Sequence, residues 1–253
     1  NQSFWGLGKS KGILQWFLYN MSGGTLNVTS YGTGTAVTNA TNDGLRGVWL
    51  GKAGGSTGDT FALSGTAQAS FTYNNSTIDA RVYISNASSI TIADSASLSF
   101  DSYTSVDLGG TIDGTTDASK TSTINISGGS LTITNSLLNV GKDAKGELII
   151  SGGTVTVNDL ALNSNGIINL SGGTLFIVDT LSASSGTLNY SGGILKIAGD
   201  YSDLSSQSWF NDTTGTASAS FDGTYTTIIP EPSTYAAFGA FALLGLLALR
   251  RRR

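Results

Sequence analysis

Four aspartates between positions 101 and 117 are the densest group of side chains that could do chemistry: Asp101, Asp107, Asp113 and Asp117. Two carboxylates that face each other across a cleft can cleave glycosidic bonds by acid–base or nucleophilic catalysis. Lys120 is the basic residue closest to them in sequence, and aspartate is also a common turn residue. We interpret these aspartates as solvated turn residues, and a catalytic pair such as Asp101 and Asp117 is the alternative.

The composition argues against most other kinds of site. The 253-residue chain has no histidine and no cysteine, so it lacks the commonest general base and all thiolate ligands. Only 12% of its residues are charged, about half the usual share, and the net charge is −4. Residues 109–114 faintly resemble a calcium-binding glycine-rich repeat, but the other glycine repeats lack the matching aspartate. We therefore expect no nucleic-acid partner, no cofactor and no metal.

A Ser-Gly-Gly motif recurs along the chain and predicts a repeat architecture. Clear copies begin at Ser22, Ser127, Ser151, Ser171 and Ser191. Weaker candidates are Asp43-Gly44, Ser64-Gly65-Thr66, Ser85-Asn86-Ala87 and Gly109-Gly110-Thr111. The later copies lie about 20 residues apart, which is the spacing of solenoid repeats. Together they predict eight or nine coils over residues 22–200, with Lys142 and Lys145 in a protruding loop.

Alternating apolar residues flank each motif and predict short strands with one buried face. Stacked coils would align Leu148, Ile168 and Leu188 into an interior ladder. The glycine pair would turn the chain between strands, because glycine adopts positive φ without steric cost. The predicted fold is an all-β, parallel β-helix of about 20-residue coils, right-handed by the usual chirality of such connections. An antiparallel sandwich is the alternative.

The repeat pattern predicts four segments. Residues 1–21 are interpreted as an N-terminal remnant or cap of a truncated chain without its signal peptide. Residues 22–200 form the solenoid, and residues 201–229, which are rich in aromatic side chains, form its cap and a linker. Residues 230–253 form a separate C-terminal segment.

The C-terminal segment combines three features in order: Pro230-Glu231-Pro232, an uncharged stretch from Tyr235 to Leu249, and the basic run Arg250, Arg251, Arg252 and Arg253. As a helix, the uncharged stretch spans roughly 22 Å, short of a bilayer core of about 30 Å. A buried core helix would leave the terminal arginines unexplained. We therefore predict a short transmembrane helix with its arginines on the cytoplasmic side.

This segment resembles the PEP-CTERM sorting signal of exported bacterial proteins. Pro230, Glu231 and Pro232 match its tripeptide, residues 235–249 match its helix, and residues 250–253 match its basic end. The resemblance implies recognition by an exosortase, a membrane-embedded protease, with processing near the tripeptide. It also implies delivery to the cell surface or an extracellular matrix, often one of exopolysaccharide. The Ser-Gly-Gly repeats are similar to autotransporter-like β-strand repeats.

These observations predict an exported, non-catalytic protein with a structural or adhesive role at the cell surface or in the matrix. Its expected partners are an exosortase, the membrane before processing, and exopolysaccharide. The alternative is a β-helix polysaccharide lyase or hydrolase that uses aspartate carboxylates. A third interpretation, an autotransporter passenger fragment, would require a C-terminal β-barrel instead of a short helix.

Overall fold

The computed structural model describes residues 3–5, 8–10, 13–16, 18–30, 46–51, 58–74, 79–110, 117 and 119–231. The strands are, in chain order, β1 (Ser3–Trp5), β2 (Gly8–Ser10), β3 (Ile13–Trp16), β4 (Leu18–Met21), β5 (Thr25–Ser30), β6 (Arg46–Leu50), β7 (Thr60–Leu63), β8 (Gln68–Tyr73), β9 (Ala80–Ile84), β10 (Ser89–Ile92), β11 (Ser97–Asp101), β12 (Ser105–Leu108), β13 (Thr121–Ile126), β14 (Ser130–Val140), β15 (Lys145–Ile150), β16 (Thr154–Leu162), β17 (Gly166–Leu170), β18 (Thr174–Ala183), β19 (Thr187–Tyr190), β20 (Ile194–Ala198), β21 (Phe210–Asp212), β22 (Ala217–Phe221) and β23 (Tyr225–Pro230).

The helical content of the described ranges is one 3₁₀ turn, Leu204–Ser206. Within those ranges, no helix has the length and apolar character needed to cross a membrane. The predicted transmembrane helix over residues 235–249 lies outside them.

Three ladders of parallel strands run through the described chain. The first ladder is β4-β7-β10-β13-β15-β17-β19-β21. The second is β5-β8-β11, continued by the first halves of β14, β16 and β18 and by β20. The third is β3-β6-β9-β12, continued by the second halves of β14, β16 and β18. Each coil up to β18 supplies one segment to each ladder, an arrangement consistent with the predicted solenoid and not with an antiparallel sandwich.

The interior is filled by apolar side chains that stack from coil to coil. Leu148 aligns with Ile168, and Ile168 with Leu188, as the repeat pattern predicts. All three side chains are buried. A single coil has no closed core, and burial of these side chains requires neighbouring coils on both sides.

The turn between the first two ladders depends on the second glycine of each Ser-Gly-Gly motif. At Gly173, φ is +65°, which other residues rarely adopt. A Cβ placed there would lie 2.5 Å from the carbonyl oxygen of Gly153 in the coil below. Glycine is therefore required both by the backbone conformation and by the close stacking of successive corners.

The coil length is not constant, so the predicted length of about 20 residues holds only for the later coils. Along the first ladder, Leu18, Thr60, Ser89, Thr123, Glu147, Ile167 and Thr187 align in turn, at spacings of 42, 29, 34, 24, 20 and 20 residues. The described ranges contain seven corners between the first and second ladders, fewer than the eight or nine predicted. Ser64-Gly65 is one of these corners, and the candidate at Asp43-Gly44 lies outside the described residues.

Two other predicted repeat copies belong to a different corner. Ser85-Asn86-Ala87 and Gly109-Gly110 follow strands of the third ladder and lead back to the first. The corresponding corner between the first and second ladders is residues 93–96, which contains no glycine. There Asp94 takes a φ of +58°, and its carboxylate accepts a hydrogen bond from the Gly65 amide at 2.8 Å.

Antiparallel strands lie at both ends of the ladders. At the start, β1 pairs with β4 and β2 pairs with β3. At the end, β23 pairs with β20 and β22 pairs with β23. These antiparallel pairs cover strand edges that could otherwise pair with strands of another chain.

Candidate functional site

A buried carboxylate on the third ladder is the centre of the main charge cluster in the described structure. The Asp107 side chain is fully buried, although it points away from the apolar interior that its neighbours Val106 and Leu108 face. A buried carboxylate is costly unless charged and hydrogen-bonding partners surround it.

The partners of Asp107 come from the two coils that flank its own. Asn139 donates a 2.6 Å hydrogen bond to Oδ1. Lys142 Nζ lies 3.2 Å from Oδ2, and Arg81 Nη1 lies 3.8 Å from the same oxygen. Arg81 also donates two hydrogen bonds to Asp79, at 2.9 and 3.1 Å. Two carboxylates and two cations therefore balance each other and connect β9, β12 and the loop after β14.

The ionisation of the groups around Asp107 fits a charge-balanced network. Burial opposes ionisation of Asp79, but hydrogen bonds from Arg81 and Thr104 outweigh it and lower the pKa of Asp79. Burial raises the pKa of the Tyr83 hydroxyl to about 12, so this phenol is neutral at physiological pH. A general acid for glycoside cleavage needs a carboxyl whose pKa is raised, and Asp79 has the opposite shift.

The structure separates the aspartates that were candidates for a catalytic pair. Asp101 lies at the end of β11, where its carboxylate accepts hydrogen bonds from Ser102 and Asn135, both at 3.1 Å. Asp117 lies after the third ladder, and its amide donates to Asn86 at a different corner of the coil. Asp113 lies outside the described residues. The catalytic alternative built on Asp101 and Asp117 is therefore not assembled.

Sequence reasoning did not identify Arg81 and Lys142 as partners of Asp107. Lys142 was predicted to protrude into solvent, but its side chain is only 30% exposed and pairs with Asp107. Arg81 is 26 positions away in sequence, and only the pairing of Asp107 with Tyr83 on the adjacent rung brings it close. No spacing rule could indicate this contact, because the lengths of the coils involved differ.

A second buried carboxyl, Asp59, lies at the corner between the third and first ladders. Its Oδ2 accepts the Gly51 amide at 2.8 Å, and its own amide donates to Ser88 Oγ at 3.0 Å. Burial raises the pKa of Asp59, and the hydrogen bond from Gly51 opposes this rise. The carboxyl thus binds a backbone amide of the corner, which indicates a role in closing the turn.

Most of the aspartates from Asp117 onward stabilise turns. Five of them accept hydrogen bonds from groups two to five residues further along: Asp117, Asp200, Asp203, Asp212 and Asp222. At Asp222, hydrogen bonds from the Tyr225 and Thr224 amides lower the pKa of the carboxyl. These carboxylates are ionised turn residues, as predicted for Asp117, whereas the same prediction is wrong for Asp107, which is buried in β12.

Hydroxyl side chains cover the outer face of the second ladder. Ser97, Ser130, Thr154 and Thr174 align in one column, and Ser99, Thr132 and Thr156 align in the next. Neighbouring strands place such side chains about 4.8 Å apart. These two columns carry no charge and can donate and accept hydrogen bonds.

A metal site is not indicated within the described ranges, which contain no cluster of three or more potential ligand residues. In the segment that resembles a calcium-binding repeat, residues 109–114, the last four residues lie outside those ranges.

The sorting tripeptide begins where the cap ends. Pro230 is the last residue of β23, and the Glu231 amide donates a 2.6 Å hydrogen bond to the Thr216 carbonyl. Pro232, the stretch from Tyr235 to Leu249, and the arginines at 250–253 lie outside the described residues. The described chain is thus attached to the folded cap up to the second residue of the tripeptide.

Comparison with protein families identifies one match. Residues 229–253 match the PEP-CTERM protein-sorting motif, which confirms the resemblance found in the sequence. No curated protein and no solved structure matches this chain. The motif supports an exported protein that is anchored in the membrane before an exosortase processes it.

Proposed function

We propose that this exported chain is a non-catalytic protein of the cell surface or extracellular matrix, with a structural or adhesive role. The proposal rests on the contacts and positions of the aspartate carboxylates. Asp107 is neutralised by two cations, Asp101 and Asp117 lie at different corners, and other aspartates stabilise turns. Glycoside cleavage generally needs two carboxyl groups held several ångströms apart on either side of the substrate.

The hydroxyl face of the second ladder supports the adhesive part of the proposal. Its columns contain no charge from Ser97 to Thr174 or from Ser99 to Thr156. Sugar hydroxyls can pair with serine and threonine hydroxyls, each of which is both a donor and an acceptor. We expect the extended rows to bind a polysaccharide weakly at many points, so that affinity depends on several rungs at once.

Co-sedimentation tests this adhesive role. The full chain, kept soluble in mild detergent, is mixed with exopolysaccharide from the producing cells and then pelleted. We expect the pelleted fraction to fall several-fold when Thr132, Thr154 and Thr156 are all changed to valine, because the hydroxyls are lost while the shape is kept. The matched control changes Thr121, Thr123 and Thr187 to valine on the first ladder. Equal pelleting of both variants would contradict an adhesive second ladder.

A polysaccharide lyase or hydrolase is the second candidate, and the Asp107 cluster favours it. Arg81 and Lys142 approach this carboxylate, which is the convergence of acidic and basic groups that such an enzyme needs. Its burial argues against access by a polymer, since the Asp107 side chain is fully covered.

We propose that Pro230, Glu231 and Pro232 form the exosortase recognition sequence. Tyr235 to Leu249 would span the membrane, and Arg250 to Arg253 would keep their end in the cytoplasm. The two prolines cannot donate backbone hydrogen bonds and disfavour helix before them. Pro230 and Glu231 are held against the cap, and the prolines would keep the chain extended as it leaves the cap for the bilayer, where a membrane protease can bind it.

Replacing all three residues of the tripeptide by alanine is expected to block processing in cells that contain the exosortase. Full-length chain should accumulate in the membrane fraction, as measured by mass spectrometry of the C-terminus. The control variant, Ser218→Ala with Ser220→Ala, changes the neighbouring strand β22 and should be processed normally. Normal processing of the triple alanine variant would rule out recognition through this tripeptide.

A further inference from the structure

The C-terminal end of the second ladder differs from the rest of its outer face, because apolar and aromatic side chains and a lysine interrupt the hydroxyls there. Ile194 and Ile229 are 42% and 44% exposed, and the pairing of β20 with β23 sets them opposite each other on the outer face. Phe176 follows Thr156 in its column, and Lys196 follows Phe176. We call Phe176, Ile194, Lys196, Tyr225 and Ile229 the terminal patch.

Within the terminal patch, the ammonium group of Lys196 lies close to two aromatic rings. The Phe176 and Tyr225 rings meet edge to face, with centroids 5.3 Å apart. Lys196 Nζ lies 5.1 Å from the Phe176 centroid and 4.5 Å from that of Tyr225. Asp222 is the nearby carboxylate that interacts electrostatically with Lys196. Tyrosine, isoleucine and lysine together are typical of surfaces that lie in the interface of a bilayer.

The short connection between the terminal patch and the membrane anchor indicates that the patch contacts the bilayer. Five residues, 230–234, separate Ile229 from the apolar stretch that starts at Tyr235. Fully extended, this connection reaches about 20 Å at most. Before processing, the tether therefore holds the patch beside the bilayer, and the high effective concentration makes even a weak contact significant.

We propose that the terminal patch is a lipid-contact surface that rests on the bilayer while the chain is still anchored. Ile194 and Ile229 would enter the headgroup region, and Lys196 would face anionic headgroups. This contact would hold the cap, and the adjoining tripeptide, at a fixed height above the membrane. The inference depends on the C-terminal anchor and not on the structural or adhesive role.

Site-specific fluorescence tests the proposal with a closely matched control. The chain has no cysteine, so Ile194→Cys and Ile229→Cys each create a unique site for an environment-sensitive nitrobenzoxadiazole label. Ile167→Cys is the control, because Ile167 is 43% exposed but lies on the first ladder. Each labelled full chain is reconstituted into vesicles of phosphatidylethanolamine and phosphatidylglycerol, and anchored protein is isolated by flotation.

We expect the labels at 194 and 229 to shift to shorter emission wavelengths. Spin-labelled lipids should quench them several-fold more strongly than the label at 167. Equal quenching at all three positions would overturn the proposal. A shift that appears only at high protein density would assign the patch to a second copy of the chain, and one that requires added exopolysaccharide would assign it to a glycan. Either result would likewise overturn the lipid contact.

Discussion

Replacing Gly173 by alanine is expected to lower the free energy of unfolding by about 3 kcal/mol, from backbone strain and steric overlap together. The new Cβ would meet the Gly153 carbonyl oxygen at 2.5 Å and the Gly152 carbonyl carbon at 2.6 Å. Both contacts are with backbone atoms, which cannot rotate away as a side chain could. For a chain of this size the melting temperature should fall by about 6–12 °C, measured by circular dichroism.

Gly215 provides the control for this substitution. Its φ is +67°, against +65° at Gly173, but a Cβ at Gly215 would meet nothing within 4 Å. Gly215→Ala should therefore show only the cost of the backbone conformation, about 1–2 kcal/mol. Equal losses in the two variants would contradict the close stacking of successive corners.

Lys142→Met is expected to destabilise the fold by about 2 kcal/mol, because it removes the closest cation from a fully buried carboxylate. Arg81 remains 3.8 Å from Asp107 and limits the loss. The measurement is urea-induced unfolding of the variant and of the unchanged chain. Lys145→Met is the control, since Lys145 is exposed at the start of β15, three residues from Lys142, and has no ion pair among the described residues.

A double-mutant cycle identifies the cause of that loss. Adding Asp107→Asn to Lys142→Met removes the uncompensated charge, so the double variant should lose less stability than the two single variants combined. Additive losses, or equal effects of Lys142→Met and Lys145→Met, would show that the pair between Lys142 and Asp107 does not stabilise the fold.

The sequence predicts the later coils well, because the same corner motif and the same alternation of apolar residues repeat there. Ser-Gly-Gly at 151, 171 and 191 supplies the same corner each time, and alternating apolar residues such as Ile168 and Leu170 face inward. Identical spacing aligns identical residues, so the interior ladder follows from the pattern.

The earlier coils are harder to predict because different residue types form the same kind of corner. At the corner of residues 93–96, Asp94 adopts the positive φ that glycine adopts elsewhere, and its carboxylate caps the Gly65 amide below it. Aspartate is one of the few other residues that visit this conformation routinely. A search for Ser-Gly-Gly and related turns of small residues therefore assigns residues 85–87 and 109–110 to the wrong corner.

The candidate site was predicted only in part, for a related reason. The position of Asp107 in a group of aspartates is visible in the sequence, but its partners depend on rung alignment. Arg81 reaches it across a 24-residue step between β9 and β12, and Lys142 across a longer one. The sorting tripeptide, in contrast, is contiguous and requires no fold to be identified.

The most direct test of a non-catalytic role is an assay for new sugar ends. The full chain is incubated with exopolysaccharide from the producing cells, and both reducing ends and the unsaturated ends that lyases generate are measured over time. The unchanged chain and its Asp107→Asn variant should both release no more ends than a sample without protein. Release of ends by the unchanged chain, abolished by Asp107→Asn, would contradict the proposed role and identify the Asp107 cluster as an active site.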